Sequence, residues 1–254
     1  MSIRTSLQNG VATIEINRPD KKNALTAEMY QAMADALNRA QADPAVRAIL
    51  FAGQPGMFTA GNDLEDFVQR PPKDMDAPVF RFMQALLGVD KPVVAAVEGV
   101  AVGIGVTLLL HCDLVYVADN AKLALPFVNL GVVAEFASSF LLPLSAGYVK
   151  AAEKLLLGEP FSAQEAYEMR IVNAVLPAGE VLARARATAE KFSRLPPSAV
   201  RETKKLLRHG HAGEVAAAIK REGGLFCARL GAGEAQEAMT AFLEKRKPDF
   251  SKFQ

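Results

Sequence analysis

Residues 92–119 read PVVAAVEGVAVGIGVTLLLHCDLVYVAD, a run of apolar and small residues in which Glu98, His111, Asp113 and Asp119 are the polar interruptions. PVVAAV has the β-branched content of a buried strand, and DLVYVAD that of another. Between them, Gly99, Gly103 and Gly105 open what the pattern predicts as an apolar helix over GVAVGIGVTLLLHC. The apolar run ends at Leu110, short of the ~20 residues that a membrane span requires. Strand, helix and strand in this order predict parallel strands covered by helices.

The flanking sequence repeats the scheme. Alternation before Asn9-Gly10 and VATIEIN after it predict a hairpin with a tight turn. Thr26 is a candidate N-cap for the helix TAEMYQAMADALNRAQAD, and AILFAG follows as a short buried strand. FVQRPPKDMDAPVF reads as a Pro-rich loop, VFRFMQALLGVD as a helix and KLALP as a further strand. After Pro143 helix formers dominate. Ser162-Ala163-Gln164-Glu165 is a capping box, and Pro196, Pro197, Gly210, Gly223 and Gly233 punctuate what is expected to be an all-helical last third. The final amphipathic segment, GEAQEAMTAFLEKRK, could cap the core or dock on a neighbouring subunit. The expected division is a core over 1–195 and a helical region over 196–254.

Half of the 254 residues are hydrophobic, enough for a substantial core. The 29 Lys and Arg nearly balance the 28 Asp and Glu, which argues against nucleic-acid and membrane-surface partners. Cys112 and Cys227 are too few for a disulfide framework and lack metal-ligand spacing, so a reducing, cytoplasmic setting without a bound metal is expected. Gly99, Gly103 and Gly105 do not fit G-x-G-x-x-G, so a nicotinamide cofactor is not expected.

Four segments carry the chemistry: INRPDKKNAL (16–25), MFTAGNDL (57–64), EGVAVGIGVTLLLHCD (98–113) and PFVNLGVVAEFASSFLL (126–142). In this order and spacing they resemble the crotonase, or enoyl-CoA hydratase/isomerase, superfamily over nearly the whole chain. The resemblance implies an α/β fold, a spiral of stacked ββα turns with a C-terminal α-helical region, assembled as trimers or dimers of trimers. It also implies an acyl-CoA substrate, with coenzyme A arriving as part of the substrate and no separate cofactor. The backbone N–H groups of Ala60 and Ile104 are then expected to form an oxyanion hole, Ile104 at the positive end of its helix. Gly61, Asn62, Asp63 and Leu64 complete the acyl-CoA loop, and Lys21, Lys22 and Lys245 are placed to meet its phosphates. Asp63 is expected to order the loop rather than carry protons.

Glu135 is the one charge in the last segment. An unpaired carboxylate among apolar residues costs several kcal/mol, so this residue either lies at a surface turn or titrates well above its value in water. Hydratases of the superfamily carry two glutamates, at positions that correspond here to Thr107 and Phe127. The isomerase branch carries a single glutamate that takes a proton from carbon 2 and returns it to carbon 4, and it corresponds to Glu135. The resemblance therefore implies a 3-enoyl-CoA to 2-trans-enoyl-CoA isomerase. The alternatives are a hydratase that recruits Asp63, Glu65 or Asp66, and a non-catalytic acyl-CoA binder. Phe80, Phe82 and Met83 could wall an acyl pocket or belong to the core. His111 is expected to be structural.

Overall fold

The computed structural model describes residues 2–54 and 56–253. Among the described residues nine strands form two sheets: β1 (Ile3–Gln8), β2 (Val11–Ile16), β3 (Ala48–Gly53), β4 (Val93–Val97), β5 (Val100–Val102), β6 (Leu114–Ala118), β7 (Lys122–Ala124), β8 (Phe161–Ser162) and β9 (Ala174–Leu176). The larger sheet has the order β1-β2-β3-β4-β6-β9, parallel except for the β1–β2 hairpin. Asn9 and Gly10 turn that hairpin with positive φ at both positions, the conformation a tight primed turn needs. The smaller sheet, β5-β7-β8, takes one strand from each successive turn of the chain. This is the expected α/β spiral of ββα units with helices at its C-terminal end.

The described residues also form eleven α-helices: α1 (Ala27–Ala42), α2 (Leu64–Gln69), α3 (Pro78–Gly88), α4 (Ile104–Thr107), α5 (Ser138–Ala146), α6 (Tyr148–Leu157), α7 (Ala163–Glu168), α8 (Val181–Lys191), α9 (Pro197–His209), α10 (Ala212–Leu230) and α11 (Gly233–Leu243). Strands β3 and β4 are buried almost throughout, as parallel strands covered on both faces must be. Thr26 caps α1, accepting from Met29 N–H, and the Ser162–Glu165 capping box starts α7. No helix among the described residues is long and apolar enough to cross a membrane.

Four expectations are corrected. The predicted helix over GVAVGIGVTLLLHC begins as strand β5, because Val100 O accepts from Thr59 N–H and Val102 N–H donates to Thr59 O, drawing the Val-Ala-Val triplet into a ladder. Gly103 then turns with φ +56° into the short α4, and Leu108–His111 tightens into a 3-10 turn. The last third is not all helical: β8 pairs with β7, and β9 extends the large sheet beside β6. Phe67, Val68 and Gln69 lie in α2 rather than in a loop, since the Asp63 side chain caps that helix. Gly223 sits inside α10, where a Cβ would lie 2.9 Å from Met75 Sδ and 3.2 Å from Phe80 Cε1. It permits a close helix approach instead of ending the helix.

A buried lysine ties α9 to the sheet. Lys204 Nζ donates to Lys91 O at 2.6 Å and to Asp113 Oδ2 at 2.7 Å, while Asp113 Oδ2 also accepts from Val93 N–H at the start of β4. Burial pushes the Lys204 ammonium down to about 8, opposed by the Asp113 charge. Asp113 keeps its bond from Val93 and a longer one from Arg208, so removing the lysine exposes only part of the cost of an unpaired charge. Lys204→Met is expected to lower unfolding stability by about 2 kcal/mol in urea titrations; a change below about 0.5 kcal/mol would show that the bridge contributes nothing net.

Candidate active site

A cavity of about 690 Å³ opens between the 57–64 loop, the start of α4, the turn before Glu135 and the last helix with the tail that follows it. Its lining is mostly apolar, with Leu64, Phe67, Phe127, Val132, Phe226 and Met239 among the contributors. Backbone geometry explains why the loop reaches this position. Thr59 is laddered to β5, and Gly61, with φ +88°, lies so close to β5 that a Cβ there would be 2.9 Å from Val102 O. Only glycine allows the next peptide to come up beside Gly103 and Ile104.

The hydrogen bonds decide which amides are available to a ligand. Ala60 N–H, the expected donor, is already used: it donates to Lys22 O at 3.1 Å. Gly61 N–H donates to Thr59 Oγ1, and Asp63 N–H to Leu25 O. Among the described residues, Asn62 N–H has no partner, and neither has Ile104 N–H at the start of α4. The loop's donor therefore moves from Ala60 to Asn62, two residues on, because the backbone bridge between Leu25 and Asn62 turns alternate amides outward. Ile104 keeps its expected place, with the dipole of the helical turn behind it. Asn62 is held in addition by its side chain, whose Oδ1 accepts from the buried Tyr30 hydroxyl on α1.

Glu135 is 5% exposed, so the surface-turn alternative is excluded. Its Oε1 accepts from Thr107 Oγ1 at 2.5 Å, the residue one turn beyond Ile104 on α4. Burial pushes its carboxyl up to about 8; the Thr107 bond opposes this and the charge of Glu222 adds to it. The Tyr30 phenol is likewise held well above its ordinary value, by burial first and then by the Glu135 charge, so Tyr30 shares the same pocket of low polarity. Glu135 does not itself line the cavity; Val132, three residues before it, and Ile104 do. The chain after Glu135 is unusual. Phe136 and Ala137 both have φ near +57°, a conformation costing about 1 kcal/mol or more for each non-glycine residue. His111 Nε2 donates to Phe136 O at 2.7 Å and its ring stacks on Phe136 at 3.8 Å. With burial holding that imidazole down at about 4, it is neutral and structural.

The family model described as enoyl-CoA hydratase/isomerase matches residues 6–253. The chain belongs to that family. It is 34% identical over 242 residues to "Probable enoyl-CoA hydratase echA8" of Mycobacterium leprae, covering 95% of this chain and 94% of that protein. It is 35% identical over 252 residues to "Enoyl-CoA delta isomerase 2" of Rattus norvegicus, covering 97% of this chain and 64% of that longer protein. The solved structure of Pseudomonas aeruginosa OdaA superposes with a TM-score of 0.93 at 51% identity, over 95% of this chain and 98% of that one. Hydratase and isomerase names thus both occur at similar identity, and the fold does not choose between them.

The remaining residues of this hydratase/isomerase-family site fall into three groups. Lys21, Lys22, Ala60, Gly61, Asn62, Asp63 and Leu64 line the cavity as expected, whereas Lys245 does not and its neighbour Arg246 does. Asp63 is a scaffold: although burial works against its charge, Arg18 at 2.6 Å and Asp66 N–H hold its carboxyl below the usual range. The other loop acids are also engaged, Asp66 by Ala27 N–H and Arg70, and Glu65 facing Lys21 at 3.6 Å. Phe80, Phe82 and Met83 belong to the core, Phe82 packing on Tyr30, Phe51 and Phe136. Tyr30, Arg18 and Glu222 were not singled out from sequence. Tyr30 reads there as one more apolar position of an amphipathic helix.

The sign of the Glu135 shift makes a prediction about stability. Its folded value of about 8 lies above the ordinary 4.5, so the folded state keeps a proton that the unfolded chain releases. Stability should therefore fall with rising pH between those two values. Glu135→Gln removes the titration, so its Tm relative to wild type should rise steadily from pH 5 to pH 8. A Tm difference independent of pH would show that Glu135 is not held neutral.

Proposed function

We propose that this protein isomerises a 3-enoyl-CoA to the 2-trans-enoyl-CoA, with Glu135 as the single base and acid. The observation that carries the reading is one buried carboxyl bonded to α4 one turn past the available Ile104 amide, with no second carboxylate sharing its pocket on the α4 side: the position facing Glu135 there is Thr107, a hydroxyl. In this reading the thioester oxygen takes the N–H groups of Asn62 and Ile104. Two such donors favour the dienolate over the ground-state carbonyl, and losing one typically costs about 3 kcal/mol of barrier. The acyl chain enters past Val132 and Ile104 to reach Glu135, which removes a proton from carbon 2 and returns it to carbon 4. Lys21, Lys22 and Arg246, which line the cavity, would meet the phosphates of coenzyme A, and the reaction needs no further cofactor. Exposed apolar residues such as Tyr148, Val149, Leu206 and Leu207 support self-association, in the trimers or hexamers that the family resemblance implies.

Burial serves the reaction in two ways. It raises the proton affinity of the base toward that of a thioester-stabilised carbanion, and it keeps water from adding to the conjugated product. Hydration would need a positioned water between carboxylates, and the loop acids Asp63 and Asp66 are already committed to Arg18, Arg70 and backbone N–H groups.

Purified protein incubated with 3-hexenoyl-CoA should form the conjugated product, with kcat falling at least ~10³-fold in Glu135→Gln. Because the base must be ionised in the free enzyme, kcat/KM should climb with pH up to about 8 and then level. Hydration of crotonyl-CoA at comparable rates, undiminished in Glu135→Gln, would replace this reading with a hydratase.

A further inference from the structure

Glu222 lies at mid-length of α10, in the C-terminal helical region, and is 4% exposed. Both of its carboxylate oxygens point at the turn that follows Glu135. Oε2 accepts from Ala137 N–H at 2.6 Å, and Oε1 accepts from Ser139 N–H at 3.0 Å and from the Ser139 hydroxyl. Those donors open α5, where an acceptor is required, yet they follow two consecutive non-glycine residues in the left-handed region. Such a turn persists only where its surroundings over-determine it. Here the restraints come from two sides, His111 on Phe136 O and Glu222 on Ala137 N–H.

We infer that Glu222 is a positioning residue for the proposed isomerisation, clamping from α10 the left-handed turn that carries Glu135 and setting the charge that Glu135 faces. The inference rests on the assignment of Glu135 as the base. The groups around Glu135 are few: the Thr107 hydroxyl on α4, the Tyr30 phenol on α1, the neutral His111 imidazole acting through Phe136, and Glu222. Of these, Glu222 is the one that supplies negative charge. Burial holds its own carboxyl above the usual range, against the Ser139 and Ala137 donors and the Arg221 charge, so it is an anion at the upper end of the pH range tested. As an anion it disfavours a second charge on Glu135, so the base waits protonated and ionises as pH rises. A helix outside the ββα spiral thus reaches into the reaction centre.

Two properties follow that a merely structural contact would not produce. Replacing Glu222 with Gln removes the charge and keeps the shape, so the rising limb of kcat/KM against pH should move to lower pH by about one unit. Replacing it with Ala releases the turn, so kcat should fall about 10- to 100-fold with KM changed less than about threefold, and Glu222→Asp should restore part of the loss.

The deciding experiment has one arm that does not depend on the substrate. Tm is measured from pH 5 to pH 9 for wild type, Glu135→Gln, Glu222→Gln and the double variant, with isomerase pH profiles for wild type and Glu222→Gln. The expected result is that the Tm gap between Gln and Glu at position 135, which grows with pH, stops growing at a lower pH in the Glu222→Gln background, by the same shift as the kinetic limb. A gap with unchanged pH dependence, together with an unmoved limb, would overturn the inference. If the Tm cycle shows the shift while 3-hexenoyl-CoA is not isomerised by wild type, the reaction assignment fails and the coupling of the two carboxylates stands.

Discussion

A carboxyl group taken out of water with one hydroxyl as its hydrogen-bond donor must be neutral over most of the physiological range, and the centre of this fold is arranged around that constraint. Ionising Glu135 in place would cost several kcal/mol, and nothing cationic is set against it. The surroundings therefore hold it by shape. Thr107 fixes one oxygen, and the 136–137 peptide is held at both ends, its carbonyl by His111, which stacks on Phe136, and its N–H by Glu222. Each of these comes from a different part of the chain, so the carboxyl is an output of the whole tertiary structure.

The proposed oxyanion side is built by the opposite means, from local backbone. Strand β5 exists because Thr59 ladders to it, and the same ladder brings the 57–64 loop beside Gly103. Once Gly61 lets the loop pass within contact of Val102, the alternation of an extended chain decides which amides face inward to Lys22 and Leu25 and which face the cavity. Asn62 and Ile104 are the ones left over. In the proposed reaction these two donors are the ones that meet the thioester oxygen.

Sequence showed the parts whose signals are local. The hairpin at Asn9-Gly10, the Thr26 cap and the Ser162–Glu165 box are decided within a few residues, and each appears as expected. For Glu135 the apolar run left burial and a surface turn both open, and the tertiary packing decides for burial. Strand β5 was not readable, because GVAVG has the same composition at the start of a helix as in a three-residue strand, and only Thr59, four decades of residues upstream, distinguishes them. Strands β8 and β9 are too short to show alternation. The choice of Asn62 over Ala60 turns on hydrogen-bond parity that no residue type encodes. Glu222 gave no signal, since its partners lie 85 and 83 positions earlier and a lone glutamate on a helix ordinarily faces solvent.

The central claim is that one dry carboxyl carries a proton from carbon 2 to carbon 4 of a thioester held by two amides. The most direct measurement uses 3-hexenoyl-CoA doubly deuterated at carbon 2, turned over in ordinary water, with the product analysed by mass spectrometry and NMR at low conversion. A single shielded base should deliver a measurable fraction of the abstracted deuterium to carbon 4, because exchange with solvent is slow while Glu135 is enclosed. Product carrying only solvent hydrogen at carbon 4, or a 3-hydroxyacyl-CoA in its place, would contradict the account.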